Sequence, residues 1–303
     1  MRIGVLTGGG DCPGLNAVIR AIVRKAQSVG GHRVLGFYDS WDGVLEKRYE
    51  ELDISKVRGI LPKGGTILGT RRGSPFDYLD GVQRTKQVFA DLGLDALVVI
   101  GGNGSLTVAS MLADDHGLPI VGVPKTIDND VVGTDATFGF QTAVQIATDA
   151  IDRLHTTATS HHRSIVCEIM GQSAGWLCLG AGISGGADVI LIPEIPYDLE
   201  VVAHSLLRRQ RSGKRFSIIA AAEGIQTVEQ AKARAKIEAK GKNKGKDKPA
   251  DADQGVPRGR LRVNAALGHG RRRHGPHGRW GEPRPAGLAS GPPPRATRTG
   301  RCP

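Results

Sequence analysis

Residues 96–140 constrain this chain more than any other stretch. An apolar run at 96–100 ends in Gly101-Gly102-Asn103-Gly104-Ser105. A second run at 120–123 ends in Pro124-Lys125-Thr126-Ile127-Asp128-Asn129-Asp130. Runs of this length between turn signals fit strands buried on both faces of a parallel sheet. Leu106, Ala109 and Leu112 lie between them at helical spacing, so the unit reads as strand, helix, parallel strand. In open parallel sheets ligands bind beyond the carboxyl ends of the strands. Both polar turns fall at that edge.

Glycines at 101, 102 and 104 let backbone amides come close to a ligand, and with the following helix N-terminus they suit an anion such as phosphate. An ordinary strand-to-helix turn has the same composition, so the second turn matters more. It gathers Thr126, Asp128, Asn129 and Asp130 beside Lys125. A carboxylate there can take a proton from a substrate hydroxyl, and a lysine can hold phosphate; the alternative is a solvated turn. The pattern recurs. A strand at 3–7 runs into Gly8-Gly9-Gly10-Asp11-Cys12-Pro13-Gly14 and then a helix through Ala17, Val18, Ala21, Ile22 and Lys25. A third glycine-rich segment, 63–74, ends near Arg71-Arg72, and arginine suits bidentate phosphate contact. The first loop matches neither the Walker lysine loop nor the spaced dinucleotide fingerprint.

The alternation continues with a strand at 34–38, a turn at 41–45 carrying a buried Trp41, and helices at 81–93 and 141–159. Then come a strand at 164–169, a helix at 177–183, a strand at 189–192, a helix near 200–211 and a strand at 216–222. His161 and His162 do not read as a metal pair, because adjacent residues point apart. No apolar run is long enough for a membrane span. Four cysteines without a C-x-x-C pair fit a reducing cytoplasm.

The net charge of +11 is confined to the end of the chain. Residues 1–230 hold 22 Lys/Arg against 25 Asp/Glu, a net of −3. Residues 231–257 add +4, and residues 258–303, with 11 Arg against Glu282 alone, add +10. No nucleic-acid or membrane partner is expected for the body of the chain. Residues 228–257 read as a Lys-rich linker, with a frayed helix as the other reading for 231–249. The Arg/Pro/Gly-rich end, 258–303, shows no apolar periodicity. It reads as an RNA- or membrane-binding arm, a disordered tail or a frame-shifted terminus, and the sudden loss of lysine favours the last.

Taken together, T-G-G-G-D-C-P-G-L-N (7–16), G-G-T-I-L-G-T-R-R (64–72), G-G-N-G-S (101–105), P-K-T-I-D-N-D (124–130), S-H-H-R (160–163), M-G-Q-S-A-G (170–175) and A-E-G (222–224) resemble the 6-phosphofructokinases, particularly the actinobacterial type. The likeness covers residues 1–226. It implies two stacked three-layer α/β domains with mainly parallel sheets. Residues 1–138 would hold the phosphoryl donor, and residues 139–227 would form part of a sugar-phosphate domain. It also implies a cytoplasmic, allosteric glycolytic enzyme that works as a tetramer or dimer. That enzyme would move a phosphoryl group from ATP, with Mg²⁺, to the 1-hydroxyl of fructose 6-phosphate.

By the resemblance, Asp128 is the base, with Thr126, Lys125 and Arg72 assisting. Gly9, Arg72, Gly73, Gly102, Asn103, Gly104 and Ser105 hold the donor. Thr126, Ile127, Asp128, Arg163, Met170, Gly171, Gln172 and Glu223 hold the sugar, with Arg163 supplied by a neighbouring subunit. Asn103 and Asp130 hold the metal. The chain departs from the family at Asn103, usually acidic, and at Gln172, commonly arginine. The later family segment L-G-H-x-Q-R-G-G is not intact here, so weak or absent activity is expected of this chain alone. Gly104 resembles the ATP-using pattern and Lys125 the pyrophosphate-using one. A steric block excludes a ligand more firmly than an extra cation does, so its absence favours ATP, with pyrophosphate as the alternative.

Overall fold

The computed structural model describes residues 1–241. Six strands form the first sheet in the order β3-β2-β1-β4-β5-β6, with β1 Arg2–Thr7, β2 Arg33–Phe37, β3 Tyr49–Leu52, β4 Ala96–Gly101, β5 Ile120–Thr126 and β6 Phe138–Gly139. All its pairings are parallel except β2 with β3. β7 Ser164–Ile169, β8 Val189–Leu191 and β9 Ser217–Ala222 form a second, wholly parallel sheet in the order β7-β9-β8. Mainly parallel sheets with intervening helices are the α/β class that the pattern predicts.

The period-two alternation of strand side chains sorts the first core into two faces. On one, Val5, Val34 and Ile100 meet Leu15, Ile19 and Val23 of α1 Leu15–Gly30. On the other, Leu6, Leu35, Phe37, Leu97 and Val99 meet Trp41 and Val44 of α2 Trp41–Leu45, Val88 and Phe89 of α3 Gly81–Leu92, and Ala109 and Leu112 of α4 Asn103–Asp114. Each such side chain, fully buried, stabilises the fold by roughly 1.5–3 kcal/mol. The second sheet is covered by α5 Phe140–His161 and α6 Trp176–Ser184, whose Ile151, Leu177, Cys178 and Ala181 pack on Ile218, Ala220 and Ala222.

Several expectations need correction. Residues 41–45 form a short helix, not a turn, although Trp41 is buried as expected. β5 is not buried on both faces, because Val121 is 56% exposed. β3 had no sequence signal. The span read as a linker from 228 begins as α8 Val228–Gly241, which follows α7 Leu199–Arg211 and β9. The expectations for 242–257 and for the 258–303 tail lie outside the described residues. Among the described residues no helix is long and apolar enough to cross a membrane.

Candidate active site

The parallel register of β1, β4 and β5 fixes where the polar turns go. Thr7 pairs with Ile100 and Gly101 with Pro124, so β1 and β4 end almost together and β5 runs on to Thr126. The glycine loops leave the sheet there, side by side. Gly8 N–H donates to the Ile100 carbonyl at 2.9 Å. A Cβ at Gly8 would stand 2.5 Å from Ser105 Oγ, and one at Gly101 would stand 2.4 Å from Ser105 Cβ. Glycine is required at both positions because the first turn of α4 presses directly on them.

The third glycine segment is stitched onto this edge by side chains. Asn16, buried at the start of α1, donates from Nδ2 to the Lys63 and Gly64 carbonyls at 3.1 and 3.3 Å and accepts from Ile67 N–H at 2.8 Å. Thr7 Oγ1 donates to the Gly69 carbonyl at 2.7 Å and Thr70 Oγ1 to the Gly9 carbonyl at 2.6 Å. Gly9 N–H donates to the Arg71 carbonyl at 3.3 Å. Arg72 and Gly73 therefore emerge, solvent-exposed, beside the first loop. Their neighbour Arg71 is turned aside, donating from Nη1 to Asp42 at 2.8 Å. Asn16, Thr7 and Thr70 carry this arrangement, a role that residue type and spacing alone do not announce. Asn16 directly follows a Pro-Gly-Leu turn, which was the available signal.

In the second turn Thr126 Oγ1 accepts from Asp128 N–H at 3.0 Å, and Asn129, at φ 52°, accepts from Thr137 N–H at 2.9 Å. These bonds hold the 126–130 turn. Lys125 is buried, and its Nζ donates to the Gly10 carbonyl inside the first loop. Burial lowers the Lys125 pKa, while Cys12, Asp11 and Asp128 oppose that. Asp128 is half-buried. Burial, then the carboxylates of Asp130 and Glu223, push its carboxyl above the usual range, and Lys125 pulls the other way. Cys12, buried beside these groups, has its thiol pushed up to about 11, mainly by burial, so it stays a protonated packing group.

Ile127, the neighbour of Asp128, packs against the cores of both sheets, which brings the second sheet to this edge. Glu223 follows β9, and Gly171 follows β7 by two residues. Gly224 N–H donates to the Gly171 carbonyl at 3.1 Å, and Glu223 Oε1 accepts from Gly171 N–H at 3.5 Å. Gly171 sits at φ 145°, and a Cβ there would lie 2.8 Å from the Ala174 carbonyl oxygen. Met170 and Gln172 are exposed on the same edge. Arg163 is not brought here. It precedes the other end of β7, and six residues of strand span about 20 Å.

Residues 2–268 match the sequence pattern of the family described as Phosphofructokinase. The chain belongs to the phosphofructokinase family. It is 57% identical over 224 residues to the pyrophosphate–fructose 6-phosphate 1-phosphotransferase of Streptomyces coelicolor, covering 74% of this chain and 65% of that protein. It is 54% identical over 224 residues to the ATP-dependent 6-phosphofructokinase 3 of the same organism, with the same coverage. Among solved structures, the phosphofructokinase of Saccharomyces cerevisiae is 36% identical with a TM-score of 0.68, covering 75% of this chain and 34% of that one. The Pichia pastoris phosphofructokinase in the T-state is 33% identical with a TM-score of 0.70, covering 79% and 28%. The chain thus spans 65% of the length of the curated relatives it matches.

The magnesium expected of a phosphofructokinase does not fit a resident site in these residues. Asn103 and Asp130 do meet, but Asn103 Nδ2 donates to Asp130 Oδ2 at 2.9 Å and to the Asp130 carbonyl at 3.4 Å. The amide offers its donor end, and one oxygen of the carboxylate is already engaged. Among the described residues no three His, Cys, Asp or Glu side chains are grouped to hold a metal ion.

Proposed function

We propose that this phosphofructokinase acts as a 6-phosphofructokinase, moving the γ-phosphoryl group of ATP to the 1-hydroxyl of fructose 6-phosphate. One observation carries the reading. The half-buried Asp128 carboxylate lies in the turn after β5 that Lys125 ties to the first glycine loop and Asp130 to the second, and its neighbour Ile127 packs against the cores of both sheets. Phosphoryl transfer needs little covalent help from protein; alignment and charge stabilisation do most of the work. Asp128 would take the proton from the sugar hydroxyl as that oxygen attacks phosphorus and the bond to the leaving ADP breaks. A carboxyl with a raised pKa is a stronger base than a free aspartate once it is ionised. The amides at Gly9 and Gly102–Ser105 and the cations of Arg72 and Lys125 would hold the donor. Thr126, Ile127, Met170, Gly171, Gln172 and Glu223 would hold the sugar, with Arg163 reaching it only from a second subunit.

Gly104 supports ATP as donor. A Cβ built there meets nothing within 4 Å, so this position opens on free space and leaves room for the rest of a nucleotide. One observation favours pyrophosphate as a second reading, namely the ammonium of Lys125 seated within the first loop. The relatives named for the two donors are nearly equally similar, so likeness does not choose between them. The division into a donor domain to residue 138 and a sugar domain beyond it, a cytoplasmic glycolytic role, allosteric control and a homo-oligomer belong to the same proposal.

The test is product formation from fructose 6-phosphate with each donor. It should use this chain and a form completed with the C-terminal part of the Streptomyces coelicolor relative. Turnover with ATP in the completed form, abolished by Asp128→Asn, is expected. Use of pyrophosphate alone overturns the donor assignment, and no turnover with either donor overturns the function.

A further inference from the structure

Asn103 opens α4, in the turn that would hold donor phosphate. Asp130 closes the turn that carries Asp128. Twenty-seven residues separate them, yet the Asn103 amide donates twice to Asp130, to its side chain and to its backbone carbonyl. The two turns are thereby tied to each other without an ion. A carboxylate at 103 could not do this. Two carboxylates at that distance repel and would share a proton or require a cation between them. A neutral amide at 103 removes an anionic ligand that a divalent ion would use and supplies a hydrogen bond to Asp130 in its place, leaving Asp128 and Asp130 as the neighbouring carboxylates of the turn.

The geometry points to Asn103 as a cation-free clasp on Asp130, a positioning residue that sets the spacing of the two turns and leaves the free protein without a divalent-ion site at this edge. This rests on the reading of the edge as a phosphoryl-transfer site. The clasp also holds Asp130 in one orientation in the ligand-free protein, so the base turn does not depend on metal to order it.

Titration of the purified chain with MnCl₂ alone, followed by the loss of the free Mn²⁺ paramagnetic signal, tests this without donor, sugar or turnover. Its result therefore stands apart from the proposed activity. The unaltered protein is expected to show no saturable binding, and its melting temperature is expected not to move with Mn²⁺. Asn103→Asp is expected to melt lower without the ion, to recover with it, and to bind it about tenfold more tightly or better. Asn103→Glu serves if the aspartate variant fails to fold. Saturable binding by the unaltered chain that is lost in Asp130→Asn overturns the inference. So does a folded Asn103→Asp or Asn103→Glu protein that gains no Mn²⁺ affinity.

Discussion

The two edges that meet at Asp128 are built differently. On the first sheet, three segments far apart in sequence are cross-linked by buried or half-buried side chains: Asn16, Thr7, Thr70 and Lys125. On the second sheet, Met170 is 59% exposed and Glu223 makes one long contact to Gly171 N–H. α7, on that side, has no fully buried side chain. The first edge is thus preset by the chain itself, while the second presents exposed groups with fewer side-chain ties. Preset amides cost no ordering at the moment of reaction, which is where charge stabilisation is most effective.

The largest expected effect tests the point where the edges meet. Asp128→Asn should lower turnover by roughly 10²–10⁴-fold. It should also raise the melting temperature at neutral pH. A raised native pKa means the native state binds the proton more tightly than the unfolded chain does, so ionised Asp128 costs stability. That cost is absent below the ordinary aspartate value of 3.8 and grows as pH rises through the native pKa. Differential scanning at a series of pH values should show the variant's advantage shrinking as pH falls toward that value. An advantage independent of pH would contradict the burial argument.

Breaking the preset side comes next. Gly101→Ala drives a methyl into Ser105 and should cost about 1–3 kcal/mol by urea unfolding. Gly104→Ala, which faces open space, should cost far less. Asn16→Ala strands the Lys63 and Gly64 carbonyls and the Ile67 N–H. It should cost about 1–3 kcal/mol and weaken donor binding more than sugar binding, as calorimetry would show. If sugar affinity fell equally, the contrast between the edges would fail. The smallest effect is expected on the open side. Glu223→Gln should leave stability within about 0.5 kcal/mol. It also removes a carboxylate that raises the Asp128 pKa, so the acidic limb of the kcat/KM profile should move to lower pH.

Much of this was legible from the sequence, because strand and helix periods around residues 96–126 are strong and the glycine turns sit at their ends. What escaped was set by contacts over distance. α2 is only five residues long and follows Asp39 and Ser40, both at positive φ. A Cβ at Gly43 would stand 1.9 Å from the Tyr38 carbonyl oxygen, so packing decides that conformation and not local propensity. β3 reads Tyr-Glu-Glu-Leu, a polar strand that suits a sheet edge, where Glu51 pairs with Arg33 and Glu50 with Lys56. The Asn103–Asp130 contact joins two turns whose approach depends on the β4–β5 register. Residue types announced the chemistry of each turn, but not which atom would face which.

The Gly8–Ile100 and Thr70–Gly9 hydrogen bonds carry a consequence for how the molecule is made. On a ribosome, the first glycine loop emerges early and meets its first partners only with the 63–71 segment, Thr70 lying 61 residues beyond Gly9. Its Gly8 bond waits for β4 to insert beside β1, and Lys125 arrives later still. The closed glycine edge proposed to hold the donor is therefore a late product of synthesis. A nascent chain should gain protection by pyrophosphate against proteases only after residue 126 has cleared the exit tunnel, and shorter stalled chains should gain none.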